Sequence, residues 1–281
     1  MKLSGYLYIV AVVLLGSIIF YEYVYSSGNW ISPYLVIPVA LGIGTYVLSP
    51  QIDWWHSKRF PPQLEEKVVQ IFENNSVYYQ NLPTEKKKLF NERVCLFIEA
   101  KGWQYIGMQE EMPYDLKAIV AFEPIRLTLS QNNFLMKPFD RIAVYQNPFI
   151  SPNIPERYHS SEIFAEDGIV LFSLKHILPA FRESHKYFNV VLYEYAKIMT
   201  MTYPDIIFPS LDEDFWPDLY KVANYGLREI MGAVGLPNVD PLPVAIHHYF
   251  VYGTHFEAVY PELYKELQGI FEIYHLPLLL P

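Results

Sequence analysis

From Gly5 to Tyr25 the chain reads GYLYIVAVVLLGSIIFYEYVY, a run with no polar face in which Glu22 alone carries a charge. That length suffices for a helix across the roughly 30 Å hydrocarbon core of a bilayer. After Ser26-Ser27-Gly28-Asn29 comes a second uncharged run, Trp30 to Pro50, WISPYLVIPVALGIGTYVLSP. It predicts a second span over 31–50, with Pro33 and Pro38 bending or ending its early part. Tyr21, Tyr23, Tyr25 and Trp30 at one end, and Trp54 and Trp55 at the other, fall where amphipathic rings favour the headgroup level. The two runs read as a transmembrane helical hairpin, residues 1–58. Lys2 precedes it and Lys58-Arg59 follow it, while the connecting turn has no basic residue, so both ends are expected on the cytoplasmic side. The first run also fits a cleaved signal peptide, against which stand the poor cleavage site at Tyr25-Ser26-Ser27 and the second span that follows at once. Even if it were cleaved, the second span would hold the residues after Arg59 inside.

Beyond residue 60 the pattern becomes amphipathic. Leu64, Val68, Ile71 and Phe72 at helical spacing predict a helix over 63–74. A second starts near Pro83-Thr84-Glu85, buries Phe90, Val94, Phe97 and Ile98, and stops at Lys101-Gly102. Trp103 to Ile106 predicts a strand, Tyr114 to Phe122 a helix, and Arg141 to Tyr145 a strand; Ile163-Phe164 and Ile169 to Phe172 form a hairpin around Asp167-Gly168. Helices follow over 174–182, 187–201, 215–231, 244–252 and 261–273. Strands in the first half and helices in the second give an α+β domain, residues 60–281, and no linker or repeat divides it.

Composition narrows the function classes. Of 281 residues 52% are hydrophobic and 18% charged, which excludes a disordered chain. Only three of the 21 basic and two of the 30 acidic side chains precede residue 60, so residues 60–281 carry a net charge of −10. Such a surface repels phosphate, and no nucleic-acid partner is expected. Cys95, the single cysteine, cannot form an internal disulfide or a paired-cysteine metal site. Lys86-Lys87-Lys88 read as the solvated face of a helix, and Asp212-Glu213-Asp214 as acids stabilising a helix start. His185 reads as a capping or surface residue.

Several phrases, in their order, resemble the Mlc titration factor A family of glucose-regulated zinc metallopeptidases (M90). VYYQNLPTEKKKLFNERVCLFIEAKGW (Val77 to Trp103) is similar to its opening helical pair, IAVYQNPF (Ile142 to Phe149) to its I-x-V-Y-P-x-x-F strand, and GIVLFSLKHI (Gly168 to Ile177) to its strand-to-helix step. FNVVLYEYAKIM (Phe188 to Met199) stands where the family has N-x-V-x-H-E-F-A-H-x-L-D, and VAIHHYFV (Val244 to Val251) where it has A-x-x-S-E-Y-F-F. YPELYKELQGIF (Tyr260 to Phe271) matches the closing helix. The resemblance covers residues 60–275 and implies a zincin-like fold, a catalytic zinc and aminopeptidase-like activity.

The departures fall on the chemistry. A zincin site needs two neutral imidazoles four residues apart on a helix, a glutamate beside the first as general base, and a third ligand from elsewhere. Carried over by the resemblance, the first histidine is Tyr193, the second Lys197 and the glutamate ligand His248, while the general-base position, Glu194, is kept. A phenol ligates only as phenolate, and a protonated ammonium has no lone pair and is repelled by a dication. His248 alone is a competent ligand, so no metal and no other cofactor are expected. Lys197, three residues after Glu194, can pair with it. Either Glu194, Lys197, His248 and the Tyr193 hydroxyl close a pocket, or a surface salt bridge lies beside a packed tyrosine. His247, His248 and His255 could also be taken for a relocated metal site, but residues 248 and 255 lie too far apart on a helix for one zinc and His247 points elsewhere.

Three readings follow. The first is a degenerate peptidase of the inner, cytoplasmic membrane, multi-pass, whose cytoplasmic domain keeps the fold to bind or regulate a protein. The family's namesake engages a transcriptional repressor, which by analogy implies a cytoplasmic protein partner. The second is an active zinc peptidase with a displaced or atypical metal site and Glu194 as base. The third is a structural partner of another membrane protein, bound through the two spans.

Overall fold

The structure, a computed structural model, describes residues 2–25 and 33–271; the Ser26 to Asn29 turn, Trp30 and the predicted helix end at Ile273 lie outside the described residues. The chain divides into two compact units, residues 1–62 and 63–281.

In the first unit, α1 (Leu3–Tyr25) is followed by a 3-10 turn (Pro33–Leu35) and α2 (Val36–Arg59). Both stretches, 23 and 27 residues, are long and apolar enough to cross a membrane. The second helix does not end at Pro50 as the sequence predicts. Pro33 opens the 3-10 turn and Pro38 falls in the first turn of α2, where the missing N–H has no intrahelical acceptor, and Pro50 removes a single bond from a helix that continues to Arg59. Trp54 and Trp55 are therefore helical. The Asp53 carboxylate accepts from the Ser4 backbone N–H at 2.9 Å and from the Ser4 hydroxyl at 2.8 Å, taking up one of the N–H groups that the start of α1 leaves free. That contact pairs the beginning of one helix with the end of the other.

The second unit contains, in order, α3 (Glu66–Asn75), α4 (Val77–Asn81), α5 (Thr84–Ala100), β1 (Gly102–Ile106), α6 (Tyr114–Leu127), β2 (Arg141–Tyr145), β3 (Phe149–Ser151), β4 (Ile154–His159), β5 (Ser161–Phe164) and β6 (Ile169–Ser173). Among the described residues it continues with α7 (Leu174–Arg182), α8 (Val190–Thr202), a 3-10 turn (Glu213–Phe215), α9 (Trp216–Ala223), α10 (Leu227–Val234), α11 (Pro241–Val251), α12 (Gly253–Val259) and α13 (Pro261–Phe271). One sheet has the order β1-β2-β6-β5, parallel except for β5, which runs antiparallel along β6 at the edge; β3 and β4 form a separate ribbon. The turn between β5 and β6 needs Gly168 at φ +63, where a Cβ would also fall 2.5 Å from the Pro138 carbonyl oxygen.

Aromatic rings hold the helical layer together. Phe72 of α3 is fully buried and meets Phe122 of α6 at 4.9 Å, Tyr79 of α4 at 5.5 Å and Phe90 of α5 at 6.0 Å, all edge-on, which suits the ring quadrupoles. Phe122 then reaches Phe181 of α7 at 5.4 Å.

Some boundaries differ from the sequence pattern. The predicted helix over 215–231 is two helices, because Asn224 adopts the left-handed conformation (φ +58) and ends α9. α6 continues past Phe122 through Pro124 to Leu127, and α8 begins at Val190 because Asn189 caps it. α11 ends at Val251 and α12 starts at Gly253, so His248 and His255 occupy different helices. The short α4, α12 and the β3–β4 ribbon are too brief to show a period.

Phe72→Ala is expected to destabilise the second unit by about 3–5 kcal/mol, and Ile207→Ala, at a site 91% exposed, by less than about 0.5 kcal/mol. Urea unfolding of the full chain in detergent, followed by tryptophan fluorescence, measures both.

Candidate functional site

Helix α8 is hydrophobic on nearly all sides, and Val190 to Ala196 are all buried, so it runs through the core rather than along the surface. Its start is fixed by Asn189, whose side-chain oxygen accepts from the backbone N–H groups of Val191 and Leu192, both at 3.1 Å. The Asn189 amide donates to Glu123 of α6 at 2.7 Å, and the Asn189 backbone N–H donates to Nε2 of His247 on α11 at 3.0 Å. One residue thus caps the helix and ties it to two others.

Glu194 is fully buried. Its Oε1 accepts from the Ser161 hydroxyl on edge strand β5 at 2.7 Å, and its Oε2 lies 3.2 Å from the Lys197 ammonium. Lys197, 23% exposed, also stands 5.4 Å from the Tyr193 ring centroid. The pair is therefore an interior one, with one member reaching towards solvent, rather than a surface salt bridge. An unpaired carboxylate in such a place would carry a large desolvation cost, which the ammonium and the hydroxyl offset.

The Tyr193 hydroxyl accepts from the backbone N–H of Asp240, the N-cap of α11, at 3.2 Å. Burial, reinforced by the neighbouring Glu194, holds this phenol well above its ordinary pKa, so it stays protonated. His248 is fully buried; its Nδ1 donates to the Val244 carbonyl at 2.8 Å, leaving the Nε2 lone pair with no hydrogen-bond partner. Its ring packs against Tyr252 at 5.4 Å and Tyr225 at 5.5 Å. Among the described residues, no hydrogen bond, ion pair or ring contact joins His248 to Tyr193, Glu194 or Lys197. The structure brings Glu194 and Lys197 together, engages the Tyr193 hydroxyl with the Asp240 N–H, and packs the His248 ring on Tyr225 and Tyr252.

A zinc ion needs several lone pairs converging within about 2.0–2.3 Å of one point. Here the residues offer a phenol kept protonated, an ammonium engaged with Glu194 and one bare imidazole nitrogen. This donor set does not fit the dication. Nor, among the described residues, do any three His, Cys, Asp or Glu side chains gather as ligands elsewhere. His247 stacks on Phe188 at 4.3 Å with its Nε2 occupied by Asn189.

Ser161, Asp240, Asn189, Glu123 and Arg126 were not marked by the sequence pattern. For Asn189 a signal exists, an asparagine immediately before an apolar run, and for Glu123 and Arg126 another, two charges three apart inside an otherwise apolar helix. Asp240 carries the same kind of mark, an aspartate directly before Pro241 at a helix start, whereas Ser161 on the edge strand carries none. The family model described as glucose-regulated metallo-peptidase M90 matches residues 52–203. No curated protein matches the chain.

Lys197→Met leaves a buried carboxylate with one hydroxyl partner and is expected to cost about 2–4 kcal/mol of stability. Adding Glu194→Gln, which keeps an acceptor for Ser161 without the charge, is expected to recover most of that loss in urea unfolding. Stability also depends on acid. Burial pushes the His248 pKa down to about 4 and that of His247 well below 6.5, so both rings are neutral in the folded chain while the unfolded chain takes up protons below about pH 6.5. Unfolding free energy therefore falls as pH drops from 6.5 towards 4. In His248→Gln that slope is expected to decrease by up to about 1.4 kcal/mol per pH unit, read from urea curves at a series of pH values.

Proposed function

The chain belongs to the M90 family of glucose-regulated metallopeptidases, and we propose that it is a membrane-anchored member that keeps the peptidase fold to bind a protein rather than to cut one. The observation that carries this reading is the Glu194–Lys197 pair at 3.2 Å. An ammonium at the second histidine position supplies positive charge to the general-base carboxylate, as a metal would, but it cannot polarise a peptide carbonyl as a Lewis acid or lower the pKa of a bound water. Glu194 held by Lys197 and Ser161 is a structural acid. The site is stable and inert.

Two apolar helices ahead of the domain favour anchoring, and Lys2, Lys58 and Arg59 favour a cytoplasmic location for the residues after them. The occupant of the retained fold is then a cytoplasmic protein. The bare Nε2 of His248 is the observation that favours the other reading, an active peptidase with an atypical zinc site and Glu194 as base.

Metal analysis of the full chain purified in detergent, with hydrolysis of aminoacyl-nitroanilide substrates, separates the two. The expected result is zinc far below one per chain and no hydrolysis. Stoichiometric zinc that disappears in His248→Ala would overturn the proposal. The combined variant Tyr193→His, Lys197→His, His248→Glu restores the family's ligand set and is expected to gain stoichiometric zinc.

A further inference from the structure

A cavity of about 860 Å³ opens in the second unit between α4, α6, the α7–α8 connection, α11 and α13. None of Tyr193, Glu194, Lys197 and His248 lines it, so it is separate from the altered peptidase site. Its volume lies within the range of small-molecule sites.

On its wall is a charged side chain that the fold has taken out of water. Arg126 of α6 is 7% exposed. Its Nη2 pairs with Glu123 Oε2, and the other Glu123 oxygen is held by the Asn189 amide at 2.7 Å. The guanidinium carbon lies 5.1 Å from the Phe250 ring centroid and 5.7 Å from those of Tyr78 and Phe122. Three rings and a carboxylate thus fix the plane of the group. Nε makes no hydrogen bond, and Nη2 meets Glu123 as an ion pair without a well-directed hydrogen bond. A guanidinium carries five N–H donors, and leaving buried donors unmade is costly. Nε and Nη2 are closed off from solvent, so the donors left for the cavity are those of Nη1, held in a fixed orientation beside the rings that line it.

We propose that this cavity binds a small molecule carrying one carboxylate on a flat apolar body. The carboxylate accepts from the Arg126 guanidinium, and the body lies against Tyr78, Phe122 and Phe250. Charge selects the class. Arg126 and Glu123 cancel, and with Arg182, Lys186 and Lys265 against Glu183 and Glu257 the charged lining sums to +1, which a monoanion neutralises and a dianion such as phosphate exceeds. Arg182, exposed on the wall and in no ion pair among the described residues, favours the approach of an anion, whereas Lys186 is shared with Glu183 and Lys265 with Glu262. The proposal does not depend on whether α8 binds zinc.

Benzoate is the probe, and benzamide its uncharged counterpart of the same shape. Each is titrated into the full chain in detergent by calorimetry, with thermal unfolding in parallel. Saturable benzoate binding is expected with a dissociation constant on the order of a millimolar, and benzamide is expected to bind at least about tenfold more weakly. Arg126→Gln is expected to abolish the benzoate signal. Thr254→Trp, at an exposed lining position on α12, fills the cavity without touching Arg126 and is expected to weaken benzoate by at least about tenfold. No saturable benzoate binding, equal binding of benzamide, or benzoate binding unchanged in Thr254→Trp would each overturn the proposal, and the first two need no variant to fold.

Discussion

All four hydrogen-bonding groups of Asn189 are used, its backbone carbonyl by the Tyr193 N–H, and the arrangement of the helical layer follows from the other three. Its side-chain oxygen starts α8, its amide holds Glu123 on α6, and its backbone N–H holds His247 on α11. Each bond alone contributes about 1 kcal/mol. Together they set the level at which α8 enters the core and so decide that Glu194 comes beside Ser161 on the edge strand. Around this polar centre the rings of Phe72, Phe90, Phe122 and Phe181 supply the apolar burial. The buried charges on α6 and α8 are tolerated because each has a partner in place.

At Glu194 the charge of a buried carboxylate is met by neighbouring side chains. A buried carboxylate needs positive charge nearby, and neutral imidazoles bring none of their own. Lys197 supplies it from the next turn of the same helix, and Ser161 supplies a donor from the sheet. The phenol of Tyr193 turns to the start of α11, where it accepts the Asp240 N–H. These contacts join α8 to β5 and to the start of α11. The Nε2 of His248 keeps an unused lone pair.

Much of this fold is legible in the sequence wherever burial imposes a period. Arg141–Tyr145 and Leu174–Arg182 fall where their patterns place them, and the β5–β6 hairpin turns at Asp167-Gly168. Local patterning misleads where one residue acts through backbone conformation or where long-range packing dominates. Asn224 breaks a continuous amphipathic pattern by entering the left-handed region, and Pro124 fails to break α6 because both sides of that helix are packed. At the site, the i,i+3 pairing of Glu194 and Lys197 can be read from spacing alone. The diversion of the Tyr193 hydroxyl to Asp240, and of His248 to Tyr225 and Tyr252, depends on tertiary neighbours that no spacing encodes.

The Asp53 carboxylate on the Ser4 backbone and hydroxyl has a mechanical consequence for the hairpin. A slip of one helix along the other by a single turn, about 5.4 Å, would strip both bonds at once. The two rods are thus locked in register near their open end, and a tug on either would be felt by both. Ser4 and Asp53 act as a clasp, with Lys58 and Arg59 about one and a half turns beyond it on the same helix.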